Sequence, residues 1–120
     1  MAYRRLSPMI YTKELKSTIE FYTSVLDFNC NGQDLSGGWA SLEKDNIQLM
    51  LALPNDHLPF GKPQFTGSFY FHVDDVTSIW DQVKDRAKVC YPIEDFDYGM
   101  REFAIYDNNG YMLQFGEELS

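Results

Sequence analysis

The chain reads as two copies of one pattern. Pro8-Met9-Ile10-Tyr11-Thr12-Lys13-Glu14-Leu15, followed by Ile19 and Glu20, lines up at an offset of 61 with Phe69-Tyr70-Phe71-His72-Val73-Asp74-Asp75-Val76, followed by Trp80 and Asp81. Such a period has to be settled before any local assignment, because each copy then builds the same supersecondary unit. Both copies pass from an apolar run through an acidic turn into helical spacing. Leu15, Ile19, Tyr22 and Leu26 mark it in the first, and Val76, Trp80, Val83 and Ala87 in the second. Ser17 and Thr77 are placed to cap the two helices through their hydroxyls.

A second match, at an offset of 64, sets residues 39–51 against 103–115. Each stretch alternates about a polar tetrapeptide, 43–46 and 107–110, which predicts a β-hairpin. Phe28-Asn29-Cys30 and Val89-Cys90-Tyr91 read as a further strand in each copy. The fold class expected is therefore α+β: tandem βαβββ modules whose strands form a curved mixed sheet enclosing a cavity. At 120 residues the chain is expected to be a single domain, with modules at 1–53 and 67–120. The linker, 54–66, carries Pro54, Pro59, Gly61 and Pro63, and its His57 reads as a solvated loop residue.

Period-two alternation divides each strand between two faces. At a constant offset, Ala40, Leu42, Ile47, Leu49 and Leu51 face the first helix, and Ala104, Tyr106, Tyr111, Leu113 and Phe115 face the second. The other face then holds Ser7, Met9, Tyr11, Trp39, Ser41, Gln48 and Met50 in one copy. In the other copy it holds Ser68, Tyr70, His72, Arg101, Phe103, Ile105, Met112 and Gln114. That much aromatic area calls for a cover, which points to a cavity or a partner. The candidate ligand contacts are Trp39, Met50, Phe60, Ser68, Tyr70, His72, Tyr98, Arg101, Phe103 and Gln114. Trp39, Phe60, Tyr98 and Phe103 are expected to wall a flat or cationic ligand. Arg101 either grips a carboxylate or pairs with Glu102 or the run Glu94, Asp95 and Asp97. His72 is expected either to act as a general base or ligand contact or to bond to Tyr11 or Tyr70.

Charge excludes several function classes. The net charge is −8, from five basic against seven acidic side chains in residues 1–60 and five against eleven in 61–120. That field repels phosphate backbones and anionic lipid, so no nucleic acid or membrane partner is expected. The first ten residues contain no apolar core of a signal peptide, and the expectation is a cytoplasmic protein. Cys30 and Cys90, 60 residues apart, form neither a zinc framework nor a disulfide scaffold.

Three segments carry a family resemblance: Thr12-Lys13-Glu14-Leu15 leading into Ile19-Glu20-Phe21-Tyr22, then Phe71-His72-Val73-Asp74-Asp75-Val76, and most specifically Tyr98-Gly99-Met100-Arg101-Glu102-Phe103-Ala104-Ile105-Tyr106-Asp107-Asn108-Asn109-Gly110. The chain resembles the vicinal oxygen chelate superfamily of glyoxalases, extradiol dioxygenases and bleomycin-resistance proteins. It is most similar to the bleomycin-resistance pattern, with Asn108 where proline is usual. The resemblance places the superfamily's metal ligands at Ser7, Met50, Ser68 and Gln114, none of them a His or a carboxylate. We therefore expect no metal and no cofactor. The resemblance further implies a homodimer with two grooves at its interface. The function it implies is a metal-independent binding protein that sequesters a cationic or aromatic, bleomycin-like compound. The alternatives are a glyoxalase-type lyase or transferase with atypical metal ligands such as His72 and Glu102, and an inert dimeric interaction module.

Overall fold

The structure, a computed structural model, describes residues 1–55 and 60–120; His57 and Pro59 lie outside the described residues. The chain divides into two compact units, Met1–Lys62 and Pro63–Ser120, a boundary that falls within the 54–66 segment. The first unit contains β1 (Met9–Tyr11), α1 (Leu15–Ser24), β2 (Asn29–Asp34), β3 (Trp39–Lys44) and β4 (Ile47–Ala52). The second contains β5 (Phe69–His72), α2 (Val76–Val83), β6 (Lys88–Phe96), β7 (Met100–Tyr106) and β8 (Met112–Glu118). Each unit is a βαβββ module with one four-stranded mixed sheet, ordered β1-β4-β3-β2 and β5-β8-β7-β6. The first strand of each runs parallel to the last, and the remaining pairs are antiparallel. This is the α+β arrangement of tandem βαβββ modules that the repeat predicts.

In the first unit, Leu15, Thr18 and Tyr22 of α1 are buried at helical spacing, alongside Ala40, Leu42, Leu49 and Leu51 of the sheet. Tyr22 meets Phe21 and Phe28 edge-on, at 5.5 and 5.7 Å. The hydroxyls expected to cap the helices do not do so. Glu14 stands at the N-cap of α1 without a side-chain bond; instead Thr12 Oγ1 accepts from the Glu14 N–H at 2.9 Å and pairs with the buried Thr18 hydroxyl at 3.0 Å. In α2 the cap is Asp75, whose Oδ1 accepts from the Ser78 N–H at 3.2 Å. A carboxylate there also complements the positive end of the helix dipole.

The two hairpins differ by one residue, and that difference corrects the expected faces of β7. In the first hairpin Lys44 pairs with Ile47, leaving only Asp45 and Asn46 in the turn, with Asp45 at a left-handed φ of 52°. In the second, Asp107 N–H bonds to the Tyr111 carbonyl at 2.9 Å, enclosing three residues, 108–110. The Asp107 carboxylate organises this loop by accepting from the N–H groups of Asn109, Gly110 and Tyr111 at 2.8, 2.9 and 3.0 Å. The offset between copies is consequently 64 on the last strand but 63 on the one before, since Met50 pairs with Ser41 and Gln114 with Ala104. A slip of one residue moves every side chain of a strand to the opposite face.

Phe103 and Ile105 pair with Phe115 and Leu113, are fully buried, and face the helix; Phe103 meets the Trp80 ring of α2 at 5.1 Å. Arg101 shares that side. Its row runs from Asp95 through Arg101 to Glu117, and Glu117 Oε1 accepts from the Val76 N–H at the start of α2. Phe103 and Arg101 are thus not on the helix-free face where a constant offset put them. Glu102, Ala104 and Tyr106 are. In the first hairpin the expected assignment agrees with the pairing, with Trp39 and Ser41 opposite Ala52 and Met50.

Candidate functional site

The helix-free face of the second sheet is organised around Glu102. This side chain is 1% exposed. Its Oε2 accepts from the Tyr91 hydroxyl at 2.7 Å, and its Oε1 accepts from the Tyr98 hydroxyl. Tyr91 also accepts from Gln114 Nε2 at 2.8 Å, and the Ser68 hydroxyl donates to Gln114 Oε1. Every donor in this chain points toward the carboxylate, so each bond polarises the next. Burial removes the water that would otherwise solvate the carboxylate, and the two phenols replace it with charge-assisted hydrogen bonds.

Strand register explains the convergence. Tyr91, Ala104 and Gln114 form one cross-strand row, and Glu94, Glu102, Gly116 and His72 form the next. The register shift between Tyr91 and Glu94 inserts an extra residue in β6, and this bulge keeps both on the same face. Tyr70 pairs with Gln114 and leans across Gly116, where any side chain would collide with the phenol. The missing Cβ of Gly116 thus lets a third tyrosine approach Glu102.

Electrostatics record the arrangement. Burial pushes the Tyr91 hydroxyl well above the ordinary phenol value, with the Glu102 bond adding to the rise and the Gln114 bond opposing it. The bond to Glu102 lifts Tyr98 to about 12, with desolvation second. Tyr70 is raised by burial first and by the Glu102 charge second. Aromatic packing completes the wall. Phe96 stacks on Tyr98 at 5.4 Å and meets Tyr91 edge-on at 5.8 Å, while the Tyr70 and His72 rings lie 5.1 Å apart.

Of the residues singled out from the sequence, Ser68, Tyr70, His72, Tyr98 and Gln114 belong to this assembly. Arg101 is instead engaged by Asp95, with Nε to Oδ1 at 2.7 Å and Nη2 to Oδ2 at 3.2 Å. That pair lowers the Asp95 carboxyl, through the hydrogen bond first. Phe103 is core. In the first unit, Trp39 lies over Gly32, Met50 pairs with Met9 and Ser41, and Phe60 meets Tyr11 edge-on at 6.2 Å. Ser7 donates to Gln48 Oε1 at 2.5 Å, and Gln48 Nε2 donates to Ser41 at 3.0 Å.

Sequence reasoning overlooked Tyr91 and the part Glu102 plays. The signal was present: in Arg101–Tyr106 the more apolar alternating pair is Phe103 and Ile105, which alone sends Glu102 to the other side.

The positions that the resemblance assigns to a metal do not fit a divalent cation. Ser68 and Gln114 satisfy each other, Ser7 bonds to Gln48, and the thioether of Met50 is too soft a donor for a hard or borderline ion. Among the described residues, no three His, Cys, Asp or Glu side chains converge as metal ligands. No helix among those residues is long and apolar enough to cross a membrane.

Comparison with known proteins locates this architecture. The chain is similar to a protein of unknown function from Agrobacterium tumefaciens, with a TM-score of 0.82 at 17% identity, covering 99% of this chain and 97% of that one. It is similar to the bleomycin resistance determinant encoded on the transposon Tn5, with a TM-score of 0.76 at 19% identity over 97% and 98% of the two chains. Lactoylglutathione lyase from Agrobacterium tumefaciens gives a TM-score of 0.74 at 20% identity over 97% and 94%. At these identities the likeness establishes the fold. Among proteins with curated descriptions, none matches the sequence. The family model described as Glyoxalase/Bleomycin resistance protein/Dioxygenase superfamily matches residues 5–115, and the chain belongs to that superfamily.

Proposed function

We propose that the protein is a metal-independent small-molecule binder that holds a cationic, aromatic compound and acts by sequestration rather than turnover. The observation that carries this reading is the buried Glu102 carboxylate on the helix-free face, ringed by Tyr70, Tyr91 and Tyr98. A carboxylate out of bulk water attracts a cation more strongly than one in solvent, and tyrosine faces add cation–π attraction. Ser68 and Gln114, linked to the carboxylate through Tyr91, and His72, two strands away in the Glu102 row, are assigned as orienting polar contacts. Trp39, Met50 and Phe60 belong to the first unit, and the binding assigned to the Glu102 assembly does not call on them. Ser7, Met50, Ser68 and Gln114 are a poor donor set for the metal that would activate water or polarise a carbonyl, which favours binding over chemistry.

The Tn5 relative's name makes bleomycin the natural first probe. Calorimetric titration should show saturable binding, with bleomycin recovered unmodified afterwards. Glu102→Gln keeps the shape and one acceptor while removing the charge, and should weaken binding about tenfold or more. Absence of binding, equal affinity in Glu102→Gln, or chemical conversion of the compound would each sink the proposal.

A further inference from the structure

Two phenols bond to Glu102, and they are held very differently. Tyr91 is part-buried and fastened a second time, through Gln114 Nε2. Tyr98 is 66% exposed, although its hydroxyl reaches a carboxylate that is itself buried. Besides making that bond, its ring stacks on Phe96, at an interplanar angle of 12°. Tyr98 stands in the turn between β6 and β7. There the backbone is fixed independently of the phenol: Gly99 N–H bonds to the Phe96 carbonyl at 3.1 Å and Leu119 N–H to the Gly99 carbonyl at 2.8 Å. Gly99 adopts φ +86°, with open space where a side chain would be. The Tyr98 side chain can therefore rotate away without breaking the turn.

We infer that Tyr98 is a latch, occupying in the free protein the seat that a ligand's aromatic N–H cation takes when it binds. This rests on the binding reading above and gives its ligand class a sharper definition. The phenol presents a neutral O–H to Glu102 Oε1 and a flat ring to Phe96. An aromatic amidinium or ammonium presents the same two features, with a charged donor in place of the neutral one, and charge-assisted bonds are the stronger. Tyr91 stays on Oε2 and keeps the carboxylate oriented. A cation lacking N–H has nothing to donate to Oε1 and gains nothing from opening the latch.

The test uses benzamidine, which carries an aromatic amidinium, and benzyltrimethylammonium, which has no N–H, each against wild-type protein and Tyr98→Phe. The variant keeps the ring and removes the competing O–H. Benzamidine should bind Tyr98→Phe about tenfold tighter than wild type, whereas benzyltrimethylammonium should not distinguish the two proteins. In wild type, saturation with benzamidine should move the Tyr98 ring resonances off the ring-current shift of the Phe96 stack. Unchanged or lower benzamidine affinity in Tyr98→Phe overturns the latch, as does a failure of benzamidine to bind either protein. In those cases Glu102-dependent binding of bleomycin by wild type would still leave the broader reading standing.

Discussion

At the scale of single residues, one pair of neighbours decides what the second sheet is for. Glu102 and Phe103 point to opposite faces: one is the buried acceptor of two phenols, and the other is the aromatic that seats α2. Phe103 stacks on Phe115 at 5.1 Å in addition to meeting Trp80. Phe103→Ala should accordingly lose about 3–5 kcal/mol of stability, as large-to-small changes at buried aromatics do, measured by denaturant unfolding. A loss under about 1 kcal/mol would place this ring outside the core, on the face first expected from the repeat. The constant offset masked this division although the apolar pair Phe103 and Ile105 marks it, because an aromatic is equally at home in a core and in a ligand wall. Tyr91 was hidden for a related reason. Its face depends on the β6 bulge, which leaves no mark in a period-two pattern.

At the scale of elements, the repeat carried most of the architecture into view. The order of elements along the chain, the two helices and the hairpins follow from two offsets, because a duplicated pattern builds a duplicated unit. What the offsets could not carry was loop length. Three residues against two between the paired ends changed the second hairpin's register by one, and the faces of Arg101–Tyr106 changed with it. The Asp107 carboxylate, 6% exposed, is the device that holds the longer loop by accepting three backbone N–H groups. Asp107→Ala strands those donors and should cost about 2–3 kcal/mol, within the range for buried groups deprived of a charged partner. Hydrogen exchange should speed up first at Asn109, Gly110 and Tyr111. Uniform protection across the loop in the variant would show that the carboxylate does not organise it.

At the scale of the whole molecule, the charge distribution and the site point the same way. Eleven of the eighteen acidic side chains lie in residues 61–120, the half that carries the Glu102 assembly, so the field there favours approach of cations. The same assembly ties stability to alkaline pH. Tyr91 and Tyr98 are both raised above the ordinary phenol value of 10.0. Groups of this kind hold their protons more tightly folded than unfolded, so their contribution is complete below pH 10 and declines as pH rises through their folded values. The latch on the Glu102 site depends on the Tyr98 hydroxyl lying on that carboxylate. The most direct check is an NMR titration of the Tyr98 ring carbons, with Glu102→Gln as the comparison. Ionisation near 12 in the wild-type protein, falling toward 10.0 in the variant, is the predicted result; a Tyr98 that titrates at 10.0 in both proteins would contradict it.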